Sequence, residues 1–250
     1  MSTVQFAPGN YRFIPSVFQY SGGAVAEPGY GIERVTFCEP VPLAEGFARV
    51  EALIKERGRP LTSFCACELR SPAPFTETGF RAFNEVYVGT LARWGVYDPG
   101  SRTNPVARSN VCPDIDPPRE PVFHAFCFTV PGQSDRGSFV VSGSGEAPEG
   151  KGRYGDFIVA RGDTSPAGMR EKARAVLGEM ERRMALLGFK WADTSSVQVY
   201  TVHDIHPLMA DEIGRRGAAR SGLTWHLARP PVIELEYEMD CRSVPSERAV

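Results

Sequence analysis

The feature of this 250-residue sequence that most constrains its fold is an internal repeat. An apolar segment from Phe18 to Gly23 contains Ser21-Gly22, and a similar segment from Phe139 to Gly145 contains Ser142-Gly143. A turn rich in Gly, Pro and Glu follows each segment, at 26–29 and at 147–150. A chain of this length can hold two domains of about 100–150 residues each. The repeat therefore predicts two domains of one type.

An amphipathic helix follows the turn in each copy. In the first copy an apolar stripe spaced by three or four residues runs from Leu43 to Ile54, and the helix ends near Gly58. In the second copy a longer stripe ends at Gly188, which suits a left-handed C-cap. Ser165 as N-cap and Pro166 at the first helical position mark where this second helix begins.

The remaining elements also recur in the same order. A strand is predicted after each long helix, over 63–69 and 196–202, and a second helix follows, over about 80–91 and, shorter, over 207–215. Each copy closes with an Ala-Arg-Ser strand start, at 107–109 and 219–221, and a final strand, over 122–130 and 232–239. This order predicts the α+β class, in which each domain is a mixed β-sheet with helices packed on one face. The linker composition around 131–137 divides the chain into domains 1–133 and 134–250.

These motifs, in this order, resemble the Rid family (reactive intermediate deaminase, also called YjgF or L-PSP). Its members pair a Ser-Gly at the end of an early strand with an Asn-containing helix, an Ala-Arg-Ser segment and a strand that carries Glu. The first copy matches through Ser21-Gly22, the helix around Asn84 and Ala107-Arg108-Ser109. The second matches through Ser142-Gly143, Ala219-Arg220-Ser221 and the segment from Ile233 to Glu236. The resemblance covers nearly the whole chain and implies two tandem Rid-like domains of the chorismate-mutase-like fold.

The resemblance also implies a chemistry. In the family the Arg binds the substrate carboxylate, and the Glu and a backbone carbonyl at the Ser-Gly position hold a water that hydrolyses an imine. A guanidinium suits this role because its planar fork binds a carboxylate bidentately and stays charged. The imine carbon is already electrophilic, so no cofactor and no metal are expected.

The two copies differ at the matching positions. The second keeps both halves of the pair, so Arg220 and Glu234 are the predicted catalytic residues. In the first, His124 stands about where the family has Glu, and is predicted to act as a base with an ordinary pKa near 6.5. The predicted substrate-binding residues are Arg108, Asn84, Ser21, Gly22, Ser142 and Gly143.

Each of these assignments has a structural alternative. In the structural alternative for Arg108 and Arg220, the arginines pair with acids across a subunit interface. One of Glu234 and Glu236 instead lies on the solvated face of the strand. His124 is alternatively a core residue. Asn84 is alternatively a helix-surface residue. The spacing of His203 and His206 suits either a metal or, with no third ligand in view, a loop before Pro207.

The resemblance favours a cofactor-independent hydrolytic deaminase of a carboxylated enamine or imine. A substrate with two carboxylates, such as the ring-cleavage product 2-aminomuconate, would suit the two arginines, and deaminases of that type include Rid-like proteins. The alternatives are a chorismatase-like hydrolase of an enol ether and a non-catalytic ligand-binding homologue. Free-standing Rid domains are trimers, so a homo-oligomer, a trimer of two-domain chains, is expected.

Composition and charge exclude other classes of function. The net charge is −2, and Lys+Arg against Asp+Glu count 12 to 13 through Val130 and 16 to 17 after it, out of 28 and 30. Neither half has the basic excess of a nucleic-acid-binding protein. No apolar run reaches the roughly 18 residues of a membrane span, and the N-terminus has no secretory pattern. A cytoplasmic enzyme without a nucleic-acid or membrane partner is therefore expected.

Overall fold

A computed structural model describes residues 2–132 and 137–250, which form two mixed β-sheets flanked by helices. The strands are β1 (Val4–Phe6), β2 (Tyr11–Phe13), β3 (Gly23–Ala26), β4 (Tyr30–Pro42), β5 (Phe64–Arg70), β6 (Ala107–Pro113), β7 (Val122–Pro131), β8 (Phe139–Gly145), β9 (Ser196–Tyr200), β10 (Thr224–His226), β11 (Ala228–Arg229), β12 (Glu238–Ser243) and β13 (Ser246–Ala249). The helices are α1 (Leu43–Glu56), α2 (Glu77–Arg93), α3 (Pro166–Leu187) and the short α4 (His206–Leu208), which continues as a π-helical turn, Met209–Gly214.

The predicted repeat is confirmed at the level of topology. In the first half the strand order is β6-β5-β7-β4, and in the second it is β10-β9-β12-β8. In both halves the strands before and after the second helix pair in parallel, and the final strand pairs antiparallel with its two neighbours. The α+β class, with a mixed sheet in each half, is therefore confirmed.

The two halves exchange strands at their ends. The N-terminal strands β1–β3 extend the second sheet, since β3 pairs with β8, and β13 at the C-terminus pairs with β4 of the first sheet. The short β11 also joins the first sheet, beside β6. The domain boundary placed between residues 133 and 134 lies outside the described residues, and it remains a prediction.

The long helices begin and end close to where the sequence predicts. Ser165 caps α3 by accepting a hydrogen bond from the backbone N–H of Gly168 (3.2 Å), and Pro166 is the first helical residue. Gly188 ends α3 with φ +90°, the left-handed conformation that glycine adopts without strain. Among the helices of the described residues, none is long and apolar enough to cross a bilayer.

Three predicted strands are wrong. Residues 18–20 form a turn, and the strand predicted at Phe18 begins only at Gly23, so the structural counterpart of β8 is β4. The segment Ala219-Arg220-Ser221 is a turn that follows the π-helical turn. The final strand, predicted over 232–239, begins at Glu238, because Pro230 and Pro231 offer no N–H to a ladder and the chain turns at Ile233 and Glu234.

Two cores lie between the sheets and their helices. Helices α1 and α2 cover one face of the first sheet, and helix α3 covers one face of the second. The opposite faces of the two sheets pack on each other through a smaller apolar cluster that includes Tyr11, Ala24, Ile32 and Ala107. Side chains of β5, β6, β9 and β12 also face this interface, and they include charged groups such as Glu68, Asp240 and Arg242.

A buried ion pair fixes where β12 begins. Lys172 and Glu146 are both essentially inaccessible to solvent, and the Lys172 Nζ lies 3.2 Å from Glu146 Oε1 and donates to the Val159 carbonyl (2.9 Å). The Glu146 carboxylate also accepts hydrogen bonds from the backbone N–H groups of Glu236 (2.7 Å) and Tyr237 (3.1 Å). The pair therefore connects α3 to the residues immediately before Glu238.

Replacing Lys172 by methionine is expected to lower the free energy of unfolding by about 3–5 kcal/mol, because Glu146 is then buried without a countercharge. Urea unfolding followed by circular dichroism measures the loss. The matched control is Lys55→Met, which removes a solvent-exposed ion pair with Glu51 that contributes little to stability. Equal losses in the two variants would contradict this account of the buried pair.

Candidate active site between the two sheets

Arg108 on β6 is a buried cation without an anionic partner. The residue is 3% exposed, and its two terminal nitrogens have no hydrogen-bond partner among the described residues. Four aromatic rings surround the guanidinium, with centroids at 4.7 Å (Tyr87), 5.1 Å (Tyr20), 5.7 Å (Phe80) and 5.8 Å (Phe83) from Cζ. Ring faces attract a cation, but a buried charge still costs free energy unless an anion pairs with it. The arrangement suits the binding of a carboxylate.

The serines of the two Ser-Gly motifs hold the Arg108 backbone in place. The Arg108 N–H donates to Ser142 Oγ (3.0 Å), and the Ser142 hydroxyl donates to the Ser21 carbonyl (2.6 Å). The structure thus brings together Arg108, Ser21 and Ser142, three of the predicted binding residues. Both hydrogen bonds of the Ser142 hydroxyl are therefore made to backbone groups of the protein, which is a structural role.

The two glycines differ in their surroundings. Gly143 lines the pocket at Arg108, and a Cβ there would collide with Glu238 Oε1, so any side chain at this position would displace the carboxyl group. Gly22 does not line this pocket but an adjoining groove, where Ile14 and Arg183 are its neighbours. Its carbonyl accepts a hydrogen bond from the Ser142 N–H (3.3 Å).

Glu238, the first residue of β12, is the acid of this pocket. It is 4% exposed, and burial raises its pKa well above the ordinary value, with the nearby negative charge of Asp240 acting in the same direction and Arg108 opposing it. Burial therefore favours the protonated, neutral form of Glu238. A carboxylic acid in this state can donate a proton.

Asp240 lies on the same face of β12 and connects the two sheets. Its carboxylate accepts hydrogen bonds from Ser109 Oγ (2.5 Å), the Tyr200 hydroxyl (2.9 Å) and Gln198 Nε2 (2.9 Å). Ser109 follows Arg108 on β6 of the first sheet, whereas Gln198 and Tyr200 lie on β9 of the second. These bonds fix β6 relative to β12, and thereby Arg108 relative to Glu238.

The pocket has both polar and apolar walls. Phe80, Val232 and Leu235 contribute apolar surface, and Tyr20 and Tyr154 line it as well. The free space measures about 20 Å³, enough for roughly one water molecule. A groove of about 860 Å³ adjoins the pocket and shares Gly145, Ala147 and Glu149 with it. A larger ligand therefore requires the walls to separate.

The structure does not bring Arg220 and Glu234 together. Arg220 is exposed in a turn, and Glu234 forms a bidentate ion pair with Arg161 (2.8 Å) at the surface, in a turn with φ +75°. Neither residue lines the pocket at Arg108. Arg220 and Glu234 lie outside the pocket because the segments predicted as their strands are turns in the structure. The acid that reaches the pocket is Glu238, four residues beyond Glu234.

His124 and Asn84 are buried or half-buried, but they do not line the pocket. Burial and the positive charge of Arg70 lower the pKa of His124 to about 4, so it is neutral at pH 7 and lies among charges other than that of Arg108. Asn84 is fully buried within α2 and donates to the Phe80 carbonyl (2.6 Å), so the helix-surface alternative is wrong. Asn84 is thereby bonded to the backbone of Phe80, whose ring is one of the four around Arg108.

His203, which precedes α4, and His206, the first residue of α4, each contact an acid. His203 Nε2 lies 2.8 Å from Glu236 Oε2, and His206 Nδ1 lies 2.6 Å from Asp204 Oδ1. Within 2–132 and 137–250, no group of three or more His, Cys, Asp or Glu side chains is arranged to hold a metal ion.

Sequence reasoning missed Glu238 and Asn110. Acidic residues alternate through Glu234, Glu236, Glu238 and Asp240, so the pattern contains the correct face but does not say where the strand begins. Asn110 is two residues beyond Arg108 and therefore points to the same face of β6. That spacing was the available signal for its presence in the pocket.

The double variant Arg220→Ala/Glu234→Ala is expected to retain kcat/KM within about twofold, because surface ion pairs contribute little and neither residue reaches the pocket. Steady-state kinetics of ammonia release provides the measurement, with thermal unfolding as a check on folding. A decrease in kcat/KM of a hundredfold or more would show that Arg220 and Glu234 take part in catalysis.

Comparisons with known proteins point to one family. A sequence model described as 2-aminomuconate deaminase CnbZ matches residues 3–248. The 2-amino-5-chloromuconate deaminase of Comamonas testosteroni is 55% identical over 246 residues, which cover 98% of this chain and 97% of that protein.

Two solved structures match the chain at lower sequence identity. A crystal structure of a chorismatase has a TM-score of 0.56 and 14% identity, covering 89% of this chain and 77% of that chain. The YjgF gene product of E. coli matches with a TM-score of 0.33 and 17% identity, covering 43% of this chain and 80% of its own. The chorismatase likeness shows that a fold of this kind extends over most of the chain.

Proposed function

The chain belongs to the CnbZ family of 2-aminomuconate deaminases, and from this premise we propose that it hydrolyses 2-aminomuconate or a close relative at the pocket of Arg108 and Glu238. The membership confirms the family relationship and the deaminase class that the sequence predicts. The observation that carries the assignment of the site is the buried guanidinium of Arg108, whose terminal nitrogens have no partner among the described residues, in one pocket with Glu238, whose pKa is raised by burial.

Arg108 binds the carboxylate next to the carbon that bears the amine. Its two terminal nitrogens donate in parallel to the two carboxylate oxygens, and the aromatic rings exclude water from this pair. The ion pair holds the amine-bearing carbon beside Glu238 and Gly143. Substrate binding also supplies the anion that the buried cation lacks in the free enzyme.

Glu238 moves the protons of the reaction. Its proton goes first to the enamine carbon, which gives an iminium ion, and the resulting carboxylate then takes a proton from a water as that water's oxygen attacks the iminium carbon. Glu238 next protonates the amine of the carbinolamine, the carbon–nitrogen bond breaks, and the hydroxyl proton returns to Glu238. One water is consumed, one ammonia is released and a 2-oxo acid is formed, with no change of oxidation state.

The remaining expectations are that the enzyme acts in the cytoplasm and that it assembles as a trimer of two-domain chains. Both rest on the Rid resemblance and on composition. Size-exclusion chromatography with light scattering measures the assembly.

The test of the proposed function is incubation of the purified protein with 2-aminomuconate. The expected result is stoichiometric ammonium and 2-oxo acid, with loss of the near-ultraviolet absorption of the dienamine. A parallel incubation with chorismate is expected to release no pyruvate, because the chorismatase likeness is one of fold alone. Pyruvate release without ammonium would replace the proposed function by enol-ether hydrolysis.

A further inference from the structure

Asn110 presents an unused amide donor to the same pocket. The residue is 3% exposed, and its Oδ1 accepts a hydrogen bond from the hydroxyl of the buried Ser71 (2.9 Å). Its Nδ2 is buried and has no partner among the described residues. Asn110 lines the pocket and its oxygen is engaged by Ser71, so the amide N–H groups are the donors that it has left to offer a ligand there. A buried donor without an acceptor costs free energy until a ligand supplies one.

The positions of Arg108 and Asn110 on β6 set the distance between the two polar groups that a ligand would contact. The two residues are separated by one position on β6, so their side chains leave the same face and their Cα atoms are roughly 6.6 Å apart. A bidentate bond to one carboxylate engages both terminal nitrogens of Arg108. Asn110 is therefore available to a second acceptor farther along the ligand, and a six-carbon dienedioate carries its second carboxylate at a comparable distance.

The other charged groups of the pocket do not compete for this role. Of the described lining residues, the only cation is Arg108. Glu149 is already engaged, because its Oε1 accepts from Arg183 (2.9 Å) and from the Tyr20 hydroxyl (3.1 Å). The apolar walls of Phe80, Val232 and Leu235 suit the hydrocarbon chain between two polar ends.

We propose that Asn110, held in orientation by Ser71, donates to the distal carboxylate of the substrate and thereby selects dicarboxylates over monocarboxylates. The inference rests on the proposed function for the identity of the site. It assigns Asn110 as a specificity-determining residue and Ser71 as a positioning residue, and it uses a neutral amide rather than a second arginine to recognise the second acid.

The test compares muconate with sorbate, which replaces the distal carboxylate of the same hydrocarbon chain by a methyl group, so that binding is measured without turnover. By calorimetry the wild-type protein is expected to bind muconate about ten to a hundred times more tightly than sorbate, as for a hydrogen bond to a charged group. Asn110→Ala should remove this preference, because it lowers the affinity for muconate and leaves the affinity for sorbate unchanged. Asn110→Asp, which keeps the shape but adds a negative charge, should weaken muconate further.

Ser71→Ala provides the second variant and is expected to lose part of the preference, because the amide is then free to rotate. Equal losses for the two ligands, an unchanged muconate affinity in Asn110→Ala, or no preference in the wild-type protein would each overturn the proposal. A wild-type preference for muconate that depends on Asn110, together with no ammonia release from 2-aminomuconate, would overturn the proposed reaction and leave the dicarboxylate site standing.

Discussion

Replacement of Arg108 by methionine is expected to lower kcat/KM for 2-aminomuconate by a thousandfold or more, and at the same time to leave the protein as stable as the wild type or more so. The loss of activity follows from the loss of the bidentate carboxylate bond that positions the reacting carbon. The stability is retained because methionine removes a buried cation that has no anionic partner within residues 2–132 and 137–250, and fills part of its space among the rings. Steady-state kinetics and thermal unfolding measure the two effects.

Arg183 provides the matched control, because it is equally buried but fully paired. Its guanidinium contacts Glu149 (2.9 Å), Glu179 (2.6 Å) and the Ser142 carbonyl (3.3 Å). Arg183→Met leaves the buried Glu149 without its countercharge, although Glu179 keeps its ion pair with Arg182 (2.7 Å), and it is expected to cost about 3–5 kcal/mol of stability. Destabilisation of the same size in Arg108→Met would show that Arg108 has a structural partner, and it would remove the argument for a ligand-binding cation.

Arg108→Lys tests the geometry of the site rather than its charge. An ammonium group keeps the positive charge but cannot donate two parallel hydrogen bonds, and it is more strongly hydrated than a guanidinium. We expect this variant to bind substrate weakly and to recover only a small part of the lost kcat/KM. Full recovery would mean that a point charge is sufficient.

Replacement of Glu238 by glutamine is expected to lower kcat by about 10²–10⁴-fold, with a smaller effect on KM, because the variant keeps the shape of the side chain but has no carboxyl proton to transfer. In the wild-type enzyme, activity should fall as the pH rises through the raised pKa of Glu238, since the first step requires the protonated acid. The pH profile of kcat/KM measures this. Glu234→Gln, at the exposed acid, is the control and should leave kcat and the profile unchanged.

The same substitution is expected to stabilise the protein at neutral pH. In the unfolded chain Glu238 ionises near its ordinary pKa of about 4.3, whereas in the folded protein burial keeps the proton on. The folded state therefore binds one more proton than the unfolded state above that pH, and its stability falls as the pH rises toward the folded pKa. Glutamine has no proton to release, so the unfolding temperature at pH 7 should rise, by about 2–4 °C for each kcal/mol regained.

The stability difference between the variant and the wild type should shrink as the pH is lowered toward 4, where both forms are neutral when folded and unfolded. A difference that is independent of pH would contradict the assignment of a protonated Glu238. An inactive but more stable variant is the combination expected of a group that is kept in an unfavourable environment for its chemistry.

The sequence by itself determined the repeat, the order of elements and the ends of the long helices. Local signals are sufficient for these features, because the apolar stripe ending at Gly188 and the cap at Ser165 act within a few residues of the chain. It also identified Arg108, Ser21, Ser142 and Gly143, which the structure brings together. The deaminase class followed from the family resemblance to these motifs.

Only the tertiary structure decided which acid stands beside Arg108. Along 234–240 every second residue is acidic, and a period of two cannot distinguish Glu234 from Glu238. The strand begins at Glu238 because Glu146, held by Lys172 of α3, binds the preceding backbone N–H groups, and because Asp240 is fixed to Ser109 of the other sheet. Those contacts join residues about 130 positions apart at most, and no local pattern records them. The pair that we propose to be catalytic, Arg108 and Glu238, is therefore formed between the two copies of the repeat, whereas the sequence predicted the pair within the second copy.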